Sequence, residues 1–124
     1  MVGTRRLARG ELETLVLQVL WERDGWLTPG DVHDALDRTH PVAYTTVMTI
    51  LVRLEGKGLL ERRRSGRAYE YRPTESRDEL AARRMAEILD SAGDTSAALT
   101  HFVQGIDAAD ARALRRILDR KDRR

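Results

Sequence analysis

A chain of 124 residues is near the commonest single-domain size and can bury roughly two-thirds of its unfolded surface, which allows one compact unit or two small lobes and excludes a large multidomain enzyme. Its 41% hydrophobic, 34% charged and 5% aromatic residues describe a charge-rich helical protein, and the absence of cysteine excludes disulfides, thiolate metal sites and cysteine nucleophiles together. The net charge of +2 is unevenly spread: residues 1–37 hold four basic and seven acidic groups, residues 38–73 hold eight and three, and residues 74–124 hold ten of each.

Leu12, Leu15, Val16, Val19 and Leu20 recur at helical spacing, with Glu11 and Glu13 near the end where the helix dipole favours negative charge, predicting a first helix from about Gly10 to Arg23. Asp24-Gly25 is a turn signal, and Trp26-Leu27 suits a minimal strand. Thr28-Pro29-Gly30-Asp31 opens a second helix, with Thr28 as N-cap, Pro29 at the first helical position and Asp31 completing a capping box. His40-Pro41 halts the chain, because a residue before proline is pushed out of the helical region.

The third predicted helix, Ala43 to Lys57, ends at Gly58, a residue able to take the left-handed conformation after a helix. At about 100° per residue, Val47, Ile50, Leu51 and Leu54 fall on one side while Thr45, Thr46, Thr49 and Arg53 gather on the other. One face packs. The opposite face offers methyls, hydroxyls and a guanidinium, the groups that read base edges in a DNA major groove. Leu59 to Arg64 and Arg67 to Arg72 then flank Ser65-Gly66, a two-residue connection that predicts a β-hairpin carrying Arg63, Arg64 and Arg67. Tyr69 and Tyr71 share one face of the second strand and are expected to pack onto helices; Pro73 ends it.

Ser76-Arg77-Asp78-Glu79 matches a capping box, and Leu80, Ala81, Met85, Ile88 and Leu89 form the stripe of a fourth helix that stops near Gly93. Asp94 or Thr95 caps a fifth helix bearing Leu99, Phe102 and Val103, and Asp107 to Asp110 cap a sixth with Leu114, Ile117 and Leu118. Three short helices of about 50 residues fall below the size that usually folds alone, so these stripes need a second chain or the first lobe to cover them, and dimerisation is the more economical expectation.

The fold expected is mainly α with a small β-hairpin wing: a winged helix-turn-helix domain over residues 1–73 followed by a three-helix dimerisation lobe over residues 74–124. No apolar run approaches the roughly 20 residues of a membrane span, and Met1 to Arg6 lead into an amphipathic pattern without a signal-peptide stretch, so a cytoplasmic location without membrane insertion is expected. Tyr44, at the start of the third helix, is expected either to reach a phosphate or to pack against the second helix. Arg63, Arg64 and Arg67 are expected on phosphates or a neighbouring minor groove.

No catalysis is expected. His33, His40 and His101 lie far apart without metal-ligand spacing, no glycine-rich phosphate loop occurs, and nothing calls for a cofactor or metal. The competing reading is a winged-helix protein-interaction module whose basic wing docks an acidic partner, with Asp31, Asp34 and Asp37 discouraging DNA approach.

The run Ala43-Tyr44-Thr45-Thr46-Val47-Met48-Thr49, with Glu11-Leu12-Glu13, Val19-Leu20-Trp21, Arg53-Leu54, Lys57-Gly58-Leu59 and Tyr69 to Pro73, resembles the penicillinase-repressor (BlaI/MecI) family of winged-helix repressors. The resemblance implies a cytoplasmic homodimer on a pseudo-palindromic double-stranded DNA operator, blocking transcription of antibiotic-resistance genes. It also implies release by cleavage in the dimerisation lobe, through a sensor-linked metalloprotease, at a bond that corresponds by position to His101-Phe102. His101 stands where the best-known members carry asparagine. A related branch senses copper through a C-terminal cysteine cluster, which this chain lacks.

Overall fold

The computed structural model describes residues 7–123, and its backbone contacts divide the chain into two compact units, Met1–Leu80 and Ala81–Arg124. The elements in chain order are α1 (Arg9–Glu22), α2 (Pro29–Asp37), α3 (Tyr44–Gly56), β1 (Leu60–Ser65), β2 (Ala68–Pro73), α4 (Arg77–Asp90), α5 (Thr95–Gly105) and α6 (Ala108–Asp122). Three helices followed by an antiparallel hairpin make the first unit a winged helix-turn-helix, and the protein as a whole is mainly α.

Local chemistry sets the ends of these elements. At α2 the Thr28 hydroxyl accepts from the Asp31 backbone N–H at 3.1 Å while the Asp31 carboxylate accepts from the Thr28 N–H at 3.0 Å, completing the capping box with Pro29 at the first turn. α2 stops at Asp37, ahead of the proline signal, where the Thr39 and His40 N–H groups both turn back onto the Leu36 carbonyl. At the far end of α3, Gly58 takes φ of +78°; the Leu59 N–H bonds the Leu54 carbonyl and the Gly58 N–H bonds that of Glu55, each at 3.0 Å. This is a Schellman motif, sealed by apolar contact between buried Leu54 and Leu59.

The hairpin register pairs Leu60 with Pro73 and Ser65 with Ala68, so the turn residues are Gly66-Arg67, one position later than expected. Gly66 has φ of +63° and Arg67 does not have positive φ. A turn with its positive φ at the first central position needs glycine only there, whereas a Ser65-Gly66 turn of the primed type would force Ser65 into the strained region. Leu27 adds the expected minimal third strand, exchanging backbone bonds of 2.9 and 2.7 Å with Tyr71.

The first unit closes around Val16, Leu17 and Leu20 of α1, Val32 and Leu36 of α2, the inner face of α3, and Tyr71 of β2. Its core reaches past Pro73. The Trp21 indole N–H donates to the Glu75 carbonyl at 3.1 Å, the Thr74 hydroxyl donates to that of Gly58 at 2.8 Å, and Leu80 is only 2% exposed. Leu80 was expected on the dimerisation face. It belongs instead to the first unit's core, because the first turn of α4 folds in with it.

The second unit has well-capped helices but little interior. Asp94 caps α5 through the Ala97 N–H and Asp107 caps α6 through the Asp110 N–H, yet neither helix contains a buried residue. Among the expected apolar stripe, Met85, Ile88, Leu99, Phe102, Val103, Ile117 and Leu118 are exposed, Ile88 at 71%, while Leu89 and Leu114 are half-buried.

Candidate nucleic-acid interface

α3 presents two chemically distinct faces. Val47, Ile50, Leu51 and Leu54 are buried, which fixes the rotation of the helix and turns Thr45, Thr49 and Arg53 outward. Thr46 sits on the flank, half-buried, about 100° from Thr45. The Thr49 hydroxyl donates to the Thr45 carbonyl at 3.0 Å, which keeps its methyl and oxygen lone pairs in a defined setting. Among the described residues, Arg53 has no carboxylate partner. Val52, which helical periodicity places beside Thr49, is 54% exposed and belongs to this outward face; its apolar type hides that when the sequence is scanned for polar readers.

Of the two environments expected for Tyr44, the structure shows packing against α2: its ring meets His33 edge-on at 5.9 Å between centroids, and the residue remains 47% exposed. His33 is held in turn by its Nε2, 2.8 Å from the Val42 carbonyl, so the residues leading into α3 are tied to α2. All three α2 aspartates have local partners: Asp31 in the capping box, Asp37 as acceptor for the Val42 N–H, and Asp34 with its carboxylate 3.7 Å from the His33 Nδ1.

The arginines of the hairpin fall into two groups. Arg62 pairs with Glu55 of α3 at 3.1 Å and lies over the Tyr69 ring at 4.3 Å, bridging helix and wing. Arg63 pairs with Glu70 at 3.0 Å and lies 4.6 Å from the Trp26 ring centroid. Arg72 pairs with Glu61 and lies 4.4 Å from the same indole. Trp26 is thus the seat for two guanidinium groups, each also neutralised by a cross-strand carboxylate. This arrangement follows from register: Glu61 faces Arg72 and Arg63 faces Glu70 across the ladder, on the opposite side from Tyr69 and Tyr71.

Arg64 and Arg67 differ. The Arg64 Nε donates to the Gly66 carbonyl at 3.2 Å and Arg67 lies beside it in the turn, and among the described residues neither has a carboxylate partner. Positive charge unbalanced by neighbouring acids therefore collects at the wing tip and at Arg53, while the base of the wing is internally compensated. Of the two tyrosines expected to pack, Tyr71 does so at 2% exposure; Tyr69, 39% exposed, lies under Arg62 and outside the buried core.

His101 and Phe102 both lie exposed within α5, and the other members of the apolar stripe are distributed over α4, α5 and α6 of the second unit. Among the described residues no three His, Asp or Glu side chains cluster as a metal site, and no helix is long and apolar enough to cross a membrane.

Comparison with known proteins agrees with this geometry. The pattern of the penicillinase repressor family matches residues 9–120. The transcriptional regulator BlaI of Mycobacterium tuberculosis (strain CDC 1551 / Oshkosh) is 45% identical over 112 residues, covering 88% of this chain and 81% of that protein. The solution structure of the DNA-binding domain of the repressor BlaI superposes with a TM-score of 0.51 at 25% identity, covering 64% of this chain and 93% of that one. Relatives of this kind are transcriptional regulators rather than enzymes. The chain belongs to the penicillinase repressor family and is a BlaI-type transcriptional repressor with a winged-helix DNA-binding domain.

Proposed function

We propose that this repressor acts as a cytoplasmic homodimer on a pseudo-palindromic DNA operator, reading bases with Thr45, Thr46, Thr49 and Arg53 and holding phosphates with Arg64 and Arg67. The observation that carries the reading is the division of charge on the first unit: among the described residues Arg53, Arg64 and Arg67 have no carboxylate partner, whereas Arg62, Arg63 and Arg72 are all neutralised within the protein. An operator offers the missing partners as phosphates and a guanine edge. Tyr44 adds a hydroxyl at the start of the reading helix, and Arg63 acts mainly through the wing.

Dimerisation would cover the exposed apolar residues of α4, α5 and α6, and two lobes so joined would address half-sites one helical turn apart or a multiple of that. Release by a sensor-linked metalloprotease would cut His101-Phe102. That bond lies inside α5, so the helix must open locally before a protease can take it in extended form. Once cut, the stripe of Leu99, Phe102 and Val103 is severed and the dimer face with it.

The test is binding to promoter-derived duplex DNA as a function of salt. Each neutralised phosphate contributes about −0.9 to the log–log slope, so Arg67→Ala should flatten the slope by about one per subunit. Arg63→Ala should leave it nearly unchanged. A salt-independent affinity, or binding to an acidic protein surface in preference to DNA, would overturn the reading.

A further inference from the structure

The outward side of α3 is rich in methyl groups and poor in the side chains that usually read bases. Thr45, Met48, Thr49 and Val52 fall within one arc of the helix, Met48 half-buried and the other three exposed. Bidentate recognition of adenine requires Asn or Gln, and the cytosine amino group calls for Asp or Glu. α3 contains no Asn, Gln or Asp, and its one Glu, Glu55, is half-buried and paired with Arg62. What is left facing outward is a set of methyls, hydroxyl oxygens and the Arg53 guanidinium.

Val52 is the least explained of these by the protein's own packing. Its neighbours Leu51 and Leu54 are 0% and 1% exposed, so the core is closed without it. A β-branched residue on the water-facing side of a helix also gains nothing in helix propensity over alanine or leucine. One turn on, Gly56 leaves the surface open: a Cβ there would meet nothing within 4 Å.

We propose that Val52 is a specificity-determining residue that recognises thymine through its C5 methyl group in the major groove. Thr45 and Thr49 extend the same methyl-lined stripe, and Arg53, the only guanidinium on the helix, takes a guanine. The half-site is then read chiefly by apolar contact to thymines flanking one guanine. This inference rests on the operator-binding reading above.

The experiment begins by selecting the preferred duplex from a randomised pool with the full chain. Each thymine of the selected site is then replaced by deoxyuridine, which removes the C5 methyl and keeps the pairing edge and the O4 acceptor. Uracil at one or two positions per half-site should weaken binding about fourfold, the effect of exposing roughly one buried methyl group. Val52→Ala should lose the sensitivity at one of those positions while keeping preference at the others. Its melting temperature should match the parent, since the site is exposed and alanine favours helix. Failure to select any duplex would overturn operator binding itself. A selected site indifferent to uracil throughout, or a Val52→Ala protein with the parent's full uracil sensitivity, would overturn the assignment to Val52 alone.

Discussion

The first unit and the second are built from helices of similar length, yet they treat apolar surface in opposite ways. α1, α2 and α3 turn their stripes toward one another, and Tyr71 and Leu27 close the remaining side, so the reader has an interior of its own. α5 and α6 have no buried residue, and Phe102, Val103, Ile117 and Leu118 stay about half exposed. The contrast separates two tasks. Under the proposed function, a surface that presents Thr45, Thr49 and Arg53 in fixed positions needs a rigid base, whereas a face that joins a second copy would keep its apolar groups uncovered until that copy arrives.

The largest expected effect tests the rigid side of this contrast. Leu51→Ala removes a fully buried side chain at the back of the reading helix and should destabilise the first unit by about 2–5 kcal/mol, read as a fall in the urea midpoint. Ile88→Ala, at an exposed position, should change the stability of that unit by less than about 0.5 kcal/mol. Equal losses at both sites would erase the distinction between the units.

Next in size is the association expected of the other side. Phe102→Glu places a charge in the exposed stripe of α5 and should convert a dimer into monomers by sedimentation, with at least tenfold weaker binding to a two-half-site operator as the two readers become unlinked. An unchanged sedimentation profile would show that α5 is not part of the dimer face.

A smaller effect sharpens the account of the wing. Trp26→Ala removes the ring on which Arg63 and Arg72 lie, a loss of about 1–2 kcal/mol if each contact contributes about 0.5–1. Trp26→Phe should retain most of it. Thermal melting measures the loss, and a faster operator dissociation in the alanine variant alone would show that the indole holds the wing in its binding position.

The smallest effect concerns the start of α4. The Ser76 N–H bonds the Glu79 carboxylate at 3.1 Å, and this bond, with a further contribution from the Ser76 side chain, holds the Glu79 carboxyl below its ordinary range. Because folding favours the charged form, its contribution is present above the unfolded value and is lost as pH falls through the lower folded value. Ser76→Ala, which removes the capping hydroxyl but keeps the backbone bond, should lower the melting temperature at neutral pH and only slightly reduce its acid dependence below about pH 4.5, the ordinary value for a glutamate.

Much of the architecture was legible before any coordinates, and the readable parts share a property. The capping boxes at Thr28-Asp31 and Ser76-Glu79, the Gly58 stop and the two-faced pattern of α3 each depend on residues within one or two turns of each other. The features that were missed connect residues distant in sequence. Trp26 lies far in the chain from Arg63 and Arg72, and Leu80 reads as one more member of an amphipathic stripe until its turn is seen within the first core. The turn lies at Gly66-Arg67, one residue beyond the Ser65-Gly66 that composition suggests, because the positive φ required by its geometry selects the position of the glycine.

Hydrophobic period and capping chemistry, both local, therefore determined which segments are helices, which side of α3 is polar, and that a basic hairpin follows it. The tertiary structure alone decided which arginines are free. Five basic side chains on the wing look equivalent as a string, but strand register sets Glu61 opposite Arg72 and Glu70 opposite Arg63, and packing brings Trp26 beneath both pairs. Charge available for a partner is what remains after such pairing, and pairing depends on distances in space that sequence spacing does not encode.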